Sequence, residues 1–113
     1  MKTIELVNFY QFLMSLSNRQ FKGKLSYAIY KNLNKIEPIV TKYFKDVEAL
    51  AKAFDIKEVD GKFNFDGDAM SDFEAIINAE NEIELHKVDV SIIEDCEFSV
   101  VEIGMLELMT NNV

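Results

Sequence analysis

Eight apolar residues, spaced regularly between positions 29 and 54, constrain the fold of this chain more than any other feature, because they must be buried along one face of a helix. These residues, which we call the heptad seam, are Ile29, Leu33, Ile36, Val40, Tyr43, Val47, Leu50 and Phe54. Alternating steps of four and three place these side chains on one face of a helix. The seam therefore predicts one long helix over residues 26–54. Because the spacing continues across Pro38, which removes one backbone donor, we expect a kinked helix and not two separate helices.

Shorter helices are predicted on both sides of this long one. An apolar stripe at helical spacing predicts an N-terminal helix over residues 5–17. Ser71 followed three residues later by Glu74 is a capping box, which predicts a short central helix to about residue 79. Ser99 and Glu102 form the same pattern and predict a C-terminal helix to about residue 109.

The remaining segments carry strand and turn signals. Residues 56–65 flank the dipeptide Asp60-Gly61, which is typical of a type I′ turn, and predict a β-hairpin. Residues 19–25 alternate apolar and polar side chains, and so do residues 82–92, where the alternation flips between Leu85 and Val88 and indicates two strands or one strand bulged at His86-Lys87. We expect these segments to form a small antiparallel sheet in which acidic and basic positions face each other. The expected fold is therefore α+β, in a single domain over residues 1–113, a length that suits one hydrophobic core.

Charge is divided unevenly along the chain. Residues 1–57 hold ten basic and five acidic residues, whereas residues 58–113 hold two basic and fifteen acidic residues, for a net charge of -8. Either the two halves pack together and partly neutralise each other, or the acidic half presents a surface to a basic partner. The lysines of the basic half are interleaved with aromatic residues, but the overall charge makes nucleic acid an unfavourable partner.

Few residues suggest chemistry. The acidic residues around Gly67 resemble a calcium loop, but the twelve-residue frame would begin at Lys62 and end at Phe73, where an acid and a glutamate are required. We expect His86 to be a solvent-facing strand residue, and Cys96 to be unreactive because acidic residues surround it. One His and one Cys exclude an internal disulfide and a Cys/His zinc site within one chain. We assign no catalytic, cofactor-binding or metal-binding residues and expect a protein that is not an enzyme.

No targeting segment is evident. The apolar N-terminal stretch is interrupted by Glu5, Asn8 and Gln11 at helical spacing, unlike the unbroken core of a signal peptide. No stretch approaches the roughly 20 apolar residues of a membrane span. The expectation is a soluble protein of a reducing compartment, neither secreted nor bound to a membrane.

Four segments carry a resemblance to a known group of proteins. They are MKTIELVNFYQFLMSL, FKGKLSYAIYKNLNKIEP, NEIELHKVDVSIIED and FSVVEIGMLELM, in this order along the chain and with Asp-Gly turns before the third. This order resembles small bacteriophage and prophage accessory proteins of a family of unknown function. The resemblance implies a phage-encoded protein that acts in the bacterial host cytoplasm or in the virion. It implies no functional residues.

Two functional hypotheses follow. The first is a non-enzymatic accessory or assembly protein that acts through protein–protein contacts, with itself or with a phage or host protein. The second is an acidic inhibitor that binds a host defence protein, with nucleic-acid mimicry as one mode. The last helix carries apolar residues on most of its circumference, so it is either buried on several sides or covered by a partner. The heptad seam is likewise either covered by the N- and C-terminal helices within the chain or used in part to form a dimer. The predicted interface residues are Val101, Met105 and Leu108, which share a face at helical spacing.

Overall fold

The computed structural model describes residues 1–111 and is mostly helical, with one two-stranded sheet. Five α-helices and two strands follow one another in the order α1, α2, α3, β1, α4, α5, β2. Their bounds are Thr3–Leu16 for α1, Gly23–Ala53 for α2, Gly67–Ile77 for α3, Val88–Asp89 for β1, Val90–Glu94 for α4, Val100–Leu106 for α5 and Thr110–Asn111 for β2. A single 3₁₀ turn over Glu107–Met109 links α5 to β2. This content agrees with the α+β class.

Helix α2 is the longest element of the structure, and α1 and α3 pack on it. Its 31 residues begin three positions before the predicted start at residue 26, end at Ala53, one position before the predicted end, and continue without interruption through Pro38. At 1.5 Å per residue the helix is about 47 Å long, close to the longest dimension of the molecule, 49 Å. The bend expected at Pro38 stays a prediction.

The heptad seam is covered within the chain. Helices α1 and α3 both pack on α2, and five of the eight seam residues are buried: Ile29, Ile36, Val40, Val47 and Leu50. Helix α1 begins two residues before the predicted start, and its fully buried Leu6, Phe9 and Leu13 fill the space beside α2. Phe54, at the end of the seam, is exposed.

The predicted antiparallel sheet is wrong. Residues 19–22 are irregular and Gly23 already begins α2, whereas β1 pairs in parallel with β2, Val88 opposite Thr110 and Asp89 opposite Asn111. The expected strand over residues 82–87 makes no ladder, because side chains of α2 take the place of a neighbouring strand. Lys35 donates through Nζ to the carbonyl of Glu84 at 2.8 Å. The Asn32 side chain bonds both backbone groups of His86.

The strand expected over residues 88–92 is also cut short. The side chain of Asp89 accepts a hydrogen bond from the backbone N–H of Ser91 at 2.9 Å, which caps helix α4. Capping by an aspartate favours a helix start over strand continuation, since it satisfies a helical donor that has no partner in the helix itself. Residues 90–94 are therefore helical.

The Asp60-Gly61 turn is present, but its flanking strands are not. Both residues have positive φ, 53° and 78°, as a type I′ turn requires, and Val59 and Lys62 exchange backbone hydrogen bonds of 2.8 and 3.0 Å across it. The predicted hairpin over 56–65 is reduced to this one bridge.

The central helix starts earlier than its predicted capping box. Helix α3 begins at Gly67, and Ser71 lies inside it. The carbonyl of Asp66 already accepts a helical bond from the N–H of Met70 at 3.2 Å, and Ala69 is buried in the first turn. Burial of this first turn therefore outweighs the local capping signal at Ser71.

Candidate protein-interaction surface

Helix α5 starts at the capping box that the sequence predicts. The hydroxyl of Ser99 accepts from the backbone N–H of Glu102 at 3.2 Å, and the N–H of Ser99 donates to the Glu102 carboxylate at 2.9 Å. This reciprocal pair satisfies two donors that lack partners within the helix. The helix then ends in the 3₁₀ turn, close to the predicted limit at residue 109.

Arg19 ties this helix start to the segment between α1 and α2. Its guanidinium pairs with Glu102 at 2.7 Å and donates to the backbone carbonyl of Glu97 at 2.8 Å. The same group lies 5.4 Å from the ring centre of Phe21 and 5.2 Å from that of Phe98, and the two rings stack on each other. An arginine that combines a carboxylate with aromatic faces is a geometrically specific anchor. It fixes the orientation of α5.

The Glu102 carboxylate is held in its charged form. The backbone hydrogen bond from Ser99 is the largest cause that lowers the pKa of Glu102, and the charge of Arg19 lowers it further. Both contacts favour the ionised carboxylate. Glu102 is therefore part of the anchored side of α5, although its charge alone suggests a solvent-facing residue.

The opposite end of α5 is anchored by packing. Leu106 and Met109 are completely buried and belong to the main hydrophobic core, and Met105 packs against that core while remaining partly exposed. Together with Glu102, these residues define the inner face of the C-terminal helical segment.

The outer face of α5 is apolar and open. Val100 is 88% exposed and Val101 is 76% exposed, and Ile103 and Leu108 are exposed as well. We call these four residues the α5 apolar surface. Apolar side chains are normally scattered singly over a protein surface, whereas a cluster held in one orientation is typical of a contact site. The arrangement can bind another apolar surface and offers no group for chemistry.

The three predicted interface residues do not all lie on the same surface. Val101 and Leu108 lie on the α5 apolar surface, whereas Met105 turns partly into the core. The predicted set did not include Val100 and Ile103 because it was confined to one line of residues at helical spacing. The contact between Arg19 and Glu102 joins residues 83 positions apart, so the local pattern of α5 does not contain it.

His86 and Cys96 occupy structural positions. The prediction of a solvent-facing strand histidine is wrong, since His86 is partly buried outside any strand, with its ring edge-on to Tyr27 at 5.7 Å. Cys96 is also partly buried, and its thiol donates to the carbonyl of Ile92 at 3.5 Å. The partners of these two residues, Tyr27 and Ile92, are not part of the α5 apolar surface.

The two oppositely charged halves of the chain touch near α5. Besides Arg19 and Glu102, Lys22 lies 3.7 Å from the carboxylate of Asp95. Both pairs join the basic half to the acidic half, which favours the interpretation that the halves partly neutralise each other. Within residues 1–111 no group of three or more His, Cys, Asp or Glu side chains is arranged to hold a metal ion.

Comparisons of the chain with protein-family models, with curated proteins and with solved structures found no match. In the part of the chain that the structure describes, no helix combines the length and the apolar character needed to cross a membrane.

Proposed function

We propose that this chain is a non-enzymatic accessory or assembly protein, and that it acts through protein–protein contacts made by the α5 apolar surface. The exposure of Val100 and Val101 carries this proposal. Arg19 and the buried Leu106 and Met109 fix the helix from its inner side. The outer side is thus presented in one orientation, which lowers the conformational cost of binding.

The first partner that we propose is a second copy of the chain. The heptad seam was the other surface suited to self-association, but α1 and α3 pack on α2 and five of the eight seam residues are buried. The α5 apolar surface, with Val100 and Val101 the most exposed of its residues, is therefore the better candidate for the contact. Two copies related by a twofold axis would place this surface against itself, the commonest arrangement in homodimers.

The biological setting that we propose is a phage or prophage. The four sequence segments that resemble small phage accessory proteins support this setting, and with it the bacterial host cytoplasm or the virion as the place of action. Genome neighbourhood tests this part of the proposal independently of the fold. Head and tail genes beside the coding sequence would favour an assembly role.

Sedimentation equilibrium over a wide concentration range tests the self-association. We expect the wild-type protein to form a dimer as its concentration rises, and Val101→Asp to remain a monomer because a charge would have to be desolvated in the contact. Val59→Asp is a matched control, since Val59 is also exposed but lies in the distant turn. A wild-type monomer at the highest concentration would refute homo-association and leave a heterologous partner.

The acidic inhibitor remains a second proposal, favoured by the charge of the second half. Of the fifteen acidic residues after position 57, only Glu80, Asp95 and Glu102 form ion pairs within the described residues. The other carboxylates are available to a basic partner. Inhibition of a DNA-degrading host defence nuclease that weakens as salt is raised would support this role. Unchanged cleavage with the chain in large excess over each such nuclease of the host would contradict it.

A further inference from the structure

A groove lies beside the C-terminal half of α2, away from the α5 apolar surface. It is a groove of about 480 Å³ between α2, the Asp60-Gly61 turn and α3, a size within the usual range of ligand pockets. Five aromatic rings line it, and we call it the aromatic groove: Tyr43, Phe44, Phe63, Phe65 and Phe73.

The rings form two opposing walls. On α2, Tyr43 and Phe44 contact each other edge-to-face at 5.2 Å. On the other side, Phe65 stacks on Phe73 at 4.9 Å and lies 6.1 Å from Phe63. Phe44 is 50% exposed, and the three rings of the second wall lie outside the main core cluster. Tyr43 packs against the main core, but Phe44 and the second wall present aromatic surface that the core does not use.

Carboxylates accompany these rings. Glu48 and Glu58 line the groove together with Lys62, and none of the three takes part in the ion pairs found among residues 1–111. Residues 54–80, which build the second wall, hold eight acidic and two basic residues. The local potential is thus negative, and it favours a cationic occupant.

Elsewhere in this chain, aromatic rings and a carboxylate together bind a cationic side chain. Arg19 lies over Phe21 and Phe98 and pairs with Glu102. The aromatic groove has the same components, aromatic rings and carboxylates, but the cations found over aromatic rings in the described residues are only Arg19 and Lys31, which lie elsewhere.

We propose that the aromatic groove binds an arginine side chain carried by an exposed segment of a different protein. A planar guanidinium can stack on the rings while its donors reach the carboxylates. The arginine comes from another protein because Arg19 is the sole arginine of this chain and is already engaged near α5. This contact is separate from the α5 apolar surface, so either proposal can fail without the other.

An NMR titration with the peptide acetyl-Gly-Arg-Gly-amide tests the proposal. We expect shift changes confined to the ring signals of the aromatic groove. The matching peptide with citrulline, which has nearly the same shape without the charge, should bind about tenfold more weakly. Equal responses to the two peptides, or no response of the groove rings at the highest soluble concentration, would overturn the proposal.

Variants of the groove sharpen the test. Phe44→Ala and Glu48→Gln should each weaken binding several-fold, whereas Lys62→Gln should strengthen it because a competing positive charge is removed. The matched control is Tyr30→Ala, which removes a ring of similar exposure, 59%, near the other end of α2. The spectrum outside the groove reports that each variant is folded. If Tyr30→Ala weakened binding as much as Phe44→Ala, the groove would not be the site.

Discussion

The side-chain amide of Asn32 pairs with the backbone of His86 as a neighbouring β-strand would. Its Nδ2 donates to the carbonyl of His86 at 2.8 Å, and the N–H of His86 donates to its Oδ1 at 2.7 Å. Asn32 is completely buried on α2. The pair satisfies a backbone that has no sheet partner, and in doing so it fixes the extended segment between α3 and β1 to the central helix.

Removing this amide should destabilise the fold strongly. Asn32→Ala deletes both hydrogen bonds to His86 and leaves the polar groups of that backbone without these partners, which predicts a loss of about 2–4 kcal/mol in the free energy of unfolding. Asn34→Ala, two residues along and exposed, is the control and should change stability by less than about 0.5 kcal/mol. Urea denaturation measures both. Similar midpoints for the two variants would show that the pair contributes little.

Two glycines should respond in opposite directions to a side chain. Gly61 has φ of 78°, so Gly61→Val places a β-branched residue in the left-handed region and should cost about 1–2 kcal/mol. Gly104 lies inside α5, and a Cβ there meets no atom within 4 Å. Gly104→Ala should therefore stabilise the protein by about 0.4–1 kcal/mol through helix propensity and reduced unfolded-state entropy. Thermal unfolding of both variants gives the signs, and a stabilising Gly61→Val would contradict the turn assignment.

The seam should be sensitive to truncation in its middle and tolerant at its end. Ile36→Ala empties a completely buried position on α2 and should cost about 2–5 kcal/mol. Phe54→Ala removes an exposed ring and should cost clearly less. Equal losses in urea denaturation would mean that the end of the seam is also covered.

The start of α5 should loosen in acid. The folded-state pKa of Glu102 is lowered from its ordinary value of 4.5, mainly by the backbone hydrogen bond from Ser99 and also by Arg19. A depressed carboxylate pKa adds stability that is present above the unfolded-state value and is lost as the pH falls through the folded-state value. The stability difference between the wild-type protein and Glu102→Gln should therefore be constant above about pH 5 and shrink in more acidic solution. A difference that grows on acidification would contradict this assignment.

The sequence patterns were most informative where structure is decided locally. The seam spacing, the Ser99–Glu102 capping box and the Asp60-Gly61 turn each depend on residues a few positions apart, and each is found in the fold. The apolar character of α5 exceeds what one inner face requires, and four of its apolar residues are exposed in the structure.

Long-range side-chain contacts explain the parts that the patterns missed. The alternation over residues 82–86 is that of a strand, but Asn32 on α2 takes the place of the strand partner, and it lies 54 positions away. Its own position carries a weak signal, because Leu25, Ile29, Asn32 and Ile36 also step by four, three and four, a pattern that shares Ile29 and Ile36 with the seam but contains Asn32 instead of Leu33. Glu102 is likewise held by distant Arg19, in addition to its local bonds with Ser99.

Hydrogen–deuterium exchange at increasing protein concentration tests most directly whether the α5 apolar surface makes the proposed contact. We predict that deuterium uptake in residues 99–108 falls as concentration rises, while uptake in α1 stays constant, because association covers only the former. The same series with Val101→Asp should show no such change. Uptake in residues 99–108 that is independent of concentration while a dimer forms would contradict the account and place the contact elsewhere.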